Sequence, residues 1–160
     1  MRLSDGLFLE CARGVADDYP FIQFEEKTID NVCMEMARDP SEFDVLVMEN
    51  LFGDLISDLA AGLVGGLGLV PGANYGGRFA VFEAVHGSAP DIAGKGLANP
   101  IAVIGSAVMM LEYVGHRVAA ERIERAVAAT LRNGVGLTRD LGGDGTTATI
   151  TEQIIANLGQ

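Results

Sequence analysis

Asn50-Leu51-Phe52-Gly53-Asp54-Leu55-Ile56-Ser57-Asp58-Leu59 follows, one residue on, the run Phe43-Asp44-Val45-Leu46-Val47-Met48, and the change of period between them decides the class of fold. A short apolar run of this kind is what parallel sheets bury. From residue 51 to 63 the apolar positions Leu55, Ile56, Leu59 and Leu63 return at helical spacing. A strand passing into a helix is the building step of an α/β fold. Asp54 and Asp58 lie four apart, so they share a helix face and their like charges repel. The backbone dipole favours a carboxylate in the first helical turn, which would account for Asp54; Asp58 lies a turn deeper and lacks that support. Two readings stay open, a solvated acidic face or a hard cation such as Mg2+ or Mn2+ taking oxygen ligands from both.

Upstream, Ser4 reads as a helix N-cap, and Leu7, Cys11 and Val15 recur at helical spacing until Tyr19-Pro20. Residues 22–29 alternate and predict a strand, and Val32, Met36 and Ala37 restore a helical period up to Asp39-Pro40. Asp30, between those two elements, reads by itself as an N-cap. The order to this point is α-β-α-β-α. Downstream, Gly62, Gly65, Gly66, Gly68, Pro71, Gly72, Gly76 and Gly77 interrupt any period, so a boundary is placed near them. A strand at 79–84, a turn-rich loop at 85–100 and helices at 101–113, 119–132 and 150–158 complete the pattern. Small residues around His86 let backbone approach a flat or phosphorylated ligand; the alternative is a plain connector with an Asx turn at Asp91. Gly143-Asp144-Gly145-Thr146-Thr147-Ala148 spells G-x-G-x-x-A, but no strand leads into it, and it is set aside as a dinucleotide fingerprint.

The chain has 160 residues, 49% of them hydrophobic, and a formal charge of −11. That composition excludes wholesale disorder, and the acidity argues against nucleic acid or an anionic membrane as partner, since both reward basic patches. The charge is uneven: four basic against fourteen acidic residues up to Gly77, then seven against eight. Cys11 and Cys33 have no metal spacing and read as core thiols of a reduced interior. With no signal-like start and no apolar run of about 20 residues, a soluble intracellular chain is expected.

Taken in order, these segments resemble the β-decarboxylating dehydrogenases, the family of isocitrate and 3-isopropylmalate dehydrogenases. The resemblance rests on Leu3-Ser4-Asp5-Gly6-Leu7-Phe8, Ile29-Asp30-Asn31, the 43–48 and 50–59 segments, Gly62-Leu63-Val64-Gly65-Gly66-Leu67-Gly68, Val85-His86-Gly87-Ser88-Ala89-Pro90-Asp91-Ile92-Ala93-Gly94-Lys95 and Asn99-Pro100. The first and fifth of these are more similar to the NAD-dependent isocitrate branch than to the isopropylmalate branch. The resemblance implies an α/β fold, the C-terminal half of the family's two-domain architecture, with a mixed sheet flanked by helices. Residues 1–64 would be the end of the small dimerisation and metal-site domain, and 65–160 the C-terminal part of the large cofactor-binding domain.

It further implies that Asp54 and Asp58 ligate Mg2+ or Mn2+ with the substrate, and that Asp30 completes the metal site of a neighbouring subunit; all three would be catalytic. Glu83, His86, Gly87, Ser88, Ala89, Asp91, Ile92 and Asn99 match the cofactor-binding motif. A carboxylate at Asp91 can accept from ribose hydroxyls and repels a 2′-phosphate, where NADP-using relatives usually carry Lys-Tyr at the 91–92 pair, so NAD is expected over NADP. The family's catalytic lysine, tyrosine and substrate arginines would lie in a missing N-terminal half. The expected protein is therefore a homo-oligomer, at least a dimer, acting on isocitrate in the cytoplasm, or in the mitochondrial matrix if eukaryotic, and inactive as this chain alone. Alternatives are 3-isopropylmalate or a related 2-hydroxy acid as substrate, or a non-catalytic regulatory subunit, which the two retained aspartates disfavour.

Overall fold

Proline and glycine stop the helices close to where the period predicts. The computed structural model describes residues 3–159. Its elements are α1 (Ser4–Ala16), α2 (Ile29–Arg38), α3 (Asn50–Val64), β1 (Pro71–Tyr75), β2 (Ala80–Ala84), α4 (Ile101–Tyr113), α5 (Arg117–Asn133) and α6 (Thr147–Asn157). They fall into two compact units, Met1–Gly53 and Asp54–Gln160.

In the first unit α1 buries no side chain, and Ser4 is its first helical residue rather than its cap, the hydroxyl donating to Asp5 Oδ1 at 3.0 Å. Helix α2 buries Val32 and Met36. Ion pairs hold the segment between the helices: Arg13 Nε and Nη2 donate to Glu26 at 2.5 and 2.6 Å, and Lys27 reaches Glu35 at 2.5 Å with its ammonium 5.3 Å from the Phe43 ring centre. The strands expected at 22–29 and 43–48 do not form ladders among the described residues; the first runs into α2 at Ile29. An extended chain becomes a stable strand only beside another, and these apolar runs have none, so Val45 and Val47 stand 79% and 77% exposed.

The second unit is built around α4. Strands β1 and β2 pair antiparallel from Pro71↔Ala84 to Tyr75↔Ala80, closed by the Gly76 N–H donating to the Phe79 carbonyl at 2.9 Å. The α/β character stands, but the described sheet is this two-stranded antiparallel ribbon and not a mixed one. Pro71-Gly72-Ala73-Asn74-Tyr75 lacks the alternation that announces a strand, which is why β1 was hidden in the glycine-rich tract. It forms because α4 supports it. Buried Ser106 accepts from the Gly72 N–H at 3.3 Å and donates to the Glu83 carbonyl at 2.7 Å, so one hydroxyl ties the helix to both strands. Gly105 allows the approach, since a Cβ there would lie 3.1 Å from Pro71 Cβ. On its other side α4 joins α5 and α6 through a core of Ile101, Ala126, Ile150 and Ile154.

Helix α6 starts three residues earlier than its apolar period suggests, because Thr146 and Thr149 form a reciprocal capping box. Gly143 and Gly145 precede it, and a Cβ at either would run into the Leu137 or Gly136 carbonyl. These glycines serve close backbone packing, which agrees with setting the G-x-G-x-x-A string aside. Replacing Ser106 with Ala is expected to lower stability by about 1–2 kcal/mol, read as a lower urea midpoint with an unchanged slope.

Candidate functional site

The Gly53 N–H already bonds the Glu49 carbonyl at 2.8 Å, and α3 begins at Asn50, so Asp54 is the fifth helical residue. It lies past the first turn. The dipole therefore does not account for Asp54 any more than for Asp58. Both side chains are exposed, and neither makes a hydrogen bond or ion pair among the described residues. Two uncompensated carboxylates on adjoining turns of one helix face are a donor set that suits a hard divalent cation while leaving further positions for water or substrate oxygens. The set is incomplete, for among the described residues no three His, Cys, Asp or Glu side chains converge as metal ligands.

Asp30 belongs to the first unit and is exposed. It is the second residue of α2, whose N-cap is Thr28, so the N-cap expected at Asp30 is displaced by two residues. The Thr28 hydroxyl and the Asn31 N–H hold its carboxyl below the usual carboxylate range. It is thus an ionised, accessible carboxylate.

The second constellation follows β2. Glu83 accepts from Asn74 Nδ2 at 2.8 Å across the ribbon. His86, Gly87, Ser88, Ala89, Asp91 and Ile92 are all exposed, and His86 Nδ1 lies 3.0 Å from the Gly87 carbonyl. Ala89 is, among the described residues, the one non-glycine with positive φ, at 41°. That conformation costs a β-carbon residue free energy and persists where the surroundings enforce it. The following turn is made by backbone: Ile92 N–H to the Ala89 carbonyl at 3.0 Å, and Lys95 N–H to the Ile92 carbonyl at 3.1 Å. Lys95 Nζ adds a bond to the Asp91 carbonyl at 2.7 Å. No Asx turn forms at Asp91, whose carboxylate is left free.

Asn99 differs from the rest. It is buried, its Oδ1 accepts from the Ile101 N–H at 3.0 Å, and its Nδ2 donates to Asp140 Oδ2 at 2.8 Å. One of its amide protons has no partner among the described residues. Clefts of about 390 and 270 Å³ lie along α5, and no expected site residue lines either one. The loop is an open ledge, free on its outer side.

A fold of helices on a small sheet is shared with solved dehydrogenase structures. The isocitrate/isopropylmalate dehydrogenase family matches residues 1–155, and the chain belongs to that family. It is 55% identical over 158 residues to the probable NAD isocitrate dehydrogenase subunit alpha, mitochondrial, of Drosophila melanogaster, covering 99% of this chain and 42% of that protein. It is 54% identical over 158 residues to the isocitrate/homoisocitrate dehydrogenase of Thermus thermophilus, covering 99% and 47%. Among solved structures it superposes on isocitrate dehydrogenase from Methylococcus capsulatus with TM-score 0.93 and 52% identity, over 99% of this chain and 48% of that one. The chain thus spans less than half the length of these relatives. Animal mitochondrial and bacterial proteins match alike, so the likeness assigns no compartment; no helix of the described residues is long and apolar enough to cross a membrane.

Sequence reasoning did not single out Asp140 and Thr147. No local signal marks a bond between residues 41 apart, and Thr147 lay inside a string judged only as a fingerprint. Asp58→Asn removes the like-charge clash with Asp54, so in metal-free buffer the variant is expected to be more stable than the parent by about 0.2–0.5 kcal/mol. Added Mn2+ should raise the melting temperature of the parent and leave that of Asp58→Asn unmoved, a reversal of order that scanning calorimetry checks.

Proposed function

We propose that this chain supplies the metal and NAD ligands for oxidative decarboxylation of isocitrate to 2-oxoglutarate, with NAD+ reduced to NADH, within a longer protein that acts as at least a dimer. The observation that carries the reading is the pair Asp54 and Asp58, side by side on α3 with no cation among the described residues to compensate them, in a chain of this family. On this reading the two carboxylates hold Mg2+ or Mn2+ against the substrate, and Asp30 serves the metal site of a neighbouring subunit. A bound divalent cation would withdraw charge from the substrate's oxygens and stabilise an enolate. The loop at 83–99 would receive the adenosine half of NAD, with Asp91 accepting from the ribose hydroxyls and rejecting a 2′-phosphate by its charge. The cofactor supplies hydride acceptance.

The chain has two lysines, and both are engaged. Lys27 is held protonated by its bond to Glu35, its pKa raised, and Lys95 is spent on the Asp91 carbonyl. With both so engaged, we place the base and the residues that recognise the tricarboxylate outside this chain. The division at 64/65 between small- and large-domain portions and a cytoplasmic or mitochondrial-matrix setting belong to the same proposal. A dimer is supported by Leu51 and Leu55, 65% and 55% exposed, one turn apart beside the aspartates. A second subunit covering them would close the metal site at the interface.

NADH formation with NAD+, Mg2+ and isocitrate tests the reading beside 3-isopropylmalate and NADP+ controls. The 160-residue chain by itself is expected to be silent, and the longer protein to turn over isocitrate with NAD+. Preference for 3-isopropylmalate or NADP+ by the longer protein sinks it. Asp91→Lys combined with Ile92→Tyr is expected to lower kcat/KM for NAD+ at least tenfold while raising that for NADP+.

A further inference from the structure

The loop that follows β2 is exposed from Val85 to Gly96 and rich in small residues, so left to itself it samples many conformations, and ordering it on a ligand costs affinity. Its upstream end is fixed by the ribbon. We infer that Asp140 and Thr147 are positioning residues that fix its downstream end and so set cofactor affinity without touching the cofactor; this rests on the reading of the loop as the NAD site.

Three bonds make the clamp, each spanning more than forty residues of sequence. Asn99 Nδ2 donates to Asp140 Oδ2 at 2.8 Å, the Thr147 N–H donates to the Gly96 carbonyl at 2.8 Å, and Thr147 Oγ1 donates to the Ala98 carbonyl at 2.5 Å. The Thr147 N–H is one of the donors that the first turn of a helix leaves without an internal partner, so α6 completes its own end by gripping the loop. Asp140 and Thr147 come from one rigid seat. Within it the Gly143 N–H bonds the Thr138 carbonyl at 3.0 Å, the Gly145 N–H bonds the Leu137 carbonyl at 2.8 Å, and the backbone leaves no room for a Cβ at either glycine.

Gly68 faces the clamp. A Cβ there would stand 2.9 Å from Asp140 Oδ2 and 3.1 Å from Asn99 Cβ, so its absence makes room for the pair. Asn99 transmits the constraint, because its Oδ1 also holds the first N–H of α4. Turning the amide would break both bonds at once. Asp140 therefore fixes which way Asn99 presents its remaining proton and where the loop must end, while the segment from His86 to Ile92 stays open to a ligand.

The test uses the longer protein, with Asp140→Ala and Thr147→Val beside the conservative Asp140→Asn and Thr147→Ser. Each disruptive variant is expected to raise KM for NAD+ and the Kd for NAD+ from fluorescence titration by roughly threefold to tenfold, the scale of one or two lost hydrogen bonds. The kcat at saturation and KM for isocitrate should stay within about twofold, and the conservative variants, which keep an acceptor or a hydroxyl, should behave as the parent. Without cofactor, amide exchange across residues 86–98 should quicken in Asp140→Ala while exchange in α5 does not. A parent that uses NAD+ together with unchanged NAD+ affinity in Asp140→Ala and Thr147→Val overturns the inference alone. So does a variant in which both KM values and α5 exchange shift together, the mark of general destabilisation. A parent that does not use NAD+ overturns the loop reading and this inference with it.

Discussion

One hydroxyl, that of Ser106, sits where the second unit is decided. Buried polar atoms must find partners, and this one finds them in the Gly72 N–H and the Glu83 carbonyl, so α4 and the ribbon are set in one register. The residue that follows Glu83 by three is His86, so the same register aims the ledge. At its start α4 is tied to Asn99, whose amide reaches Asp140 and hence the seat before α6. A ribbon of two strands is barely stable in isolation, so its position is borrowed from the helix. The loop between ribbon and helix inherits its end points from that one packing.

The acidic pair obeys a different constraint. Among the described residues Asp54 and Asp58 are held by nothing but the helix that carries them, and the neighbouring Leu51 and Leu55 are more than half exposed. Like charges without a counterion and apolar side chains without cover are both unfavourable in water. On the proposed reading one event relieves both, since a cation and a second subunit meet at the same face of α3. The apolar segment 43–48 presents the same kind of deficit in backbone form, as an extended run without a partner strand.

How much of this could be read from sequence depended on the range of the interaction. Helices α1 to α6 were legible because a 3.6-residue period is local, and α4 was placed to the residue. The strands at 22–29 and 43–48 carried the right composition, yet a strand is a relation between two segments, and the second was not there to be read. Strand β1 failed in the opposite sense: Pro71-Gly72-Ala73-Asn74-Tyr75 reads as punctuation and becomes a strand only against β2 and α4. Asp54 and Asp58 were legible from spacing, though the dipole argument for Asp54 was not, because it required the start of α3 to be known to within a turn. Asn99 appeared as a ligand by resemblance; that most of its amide is spent on Ile101 and Asp140 follows from contacts no local pattern encodes.

The two halves of the proposed site therefore stand in different relations to the rest of the protein. The loop proposed for the cofactor is placed inside one unit: β2, α4, the seat at 136–146 and the first turn of α6 all lie between residues 54 and 160. The proposed metal site lies in the same unit but is not completed there, for two carboxylates supply too few ligands for a cation that takes six or more. On the proposed reading, the loop that would hold the adenosine half of the cofactor is placed by hydrogen bonds internal to this fold. On that reading the metal half is different, because the carboxylates that would hold the cation find no compensating charge of their own among the described residues. Binding of cofactor and binding of metal with substrate would then be separable, the first set by the packing of this chain and the second by whatever closes over α3.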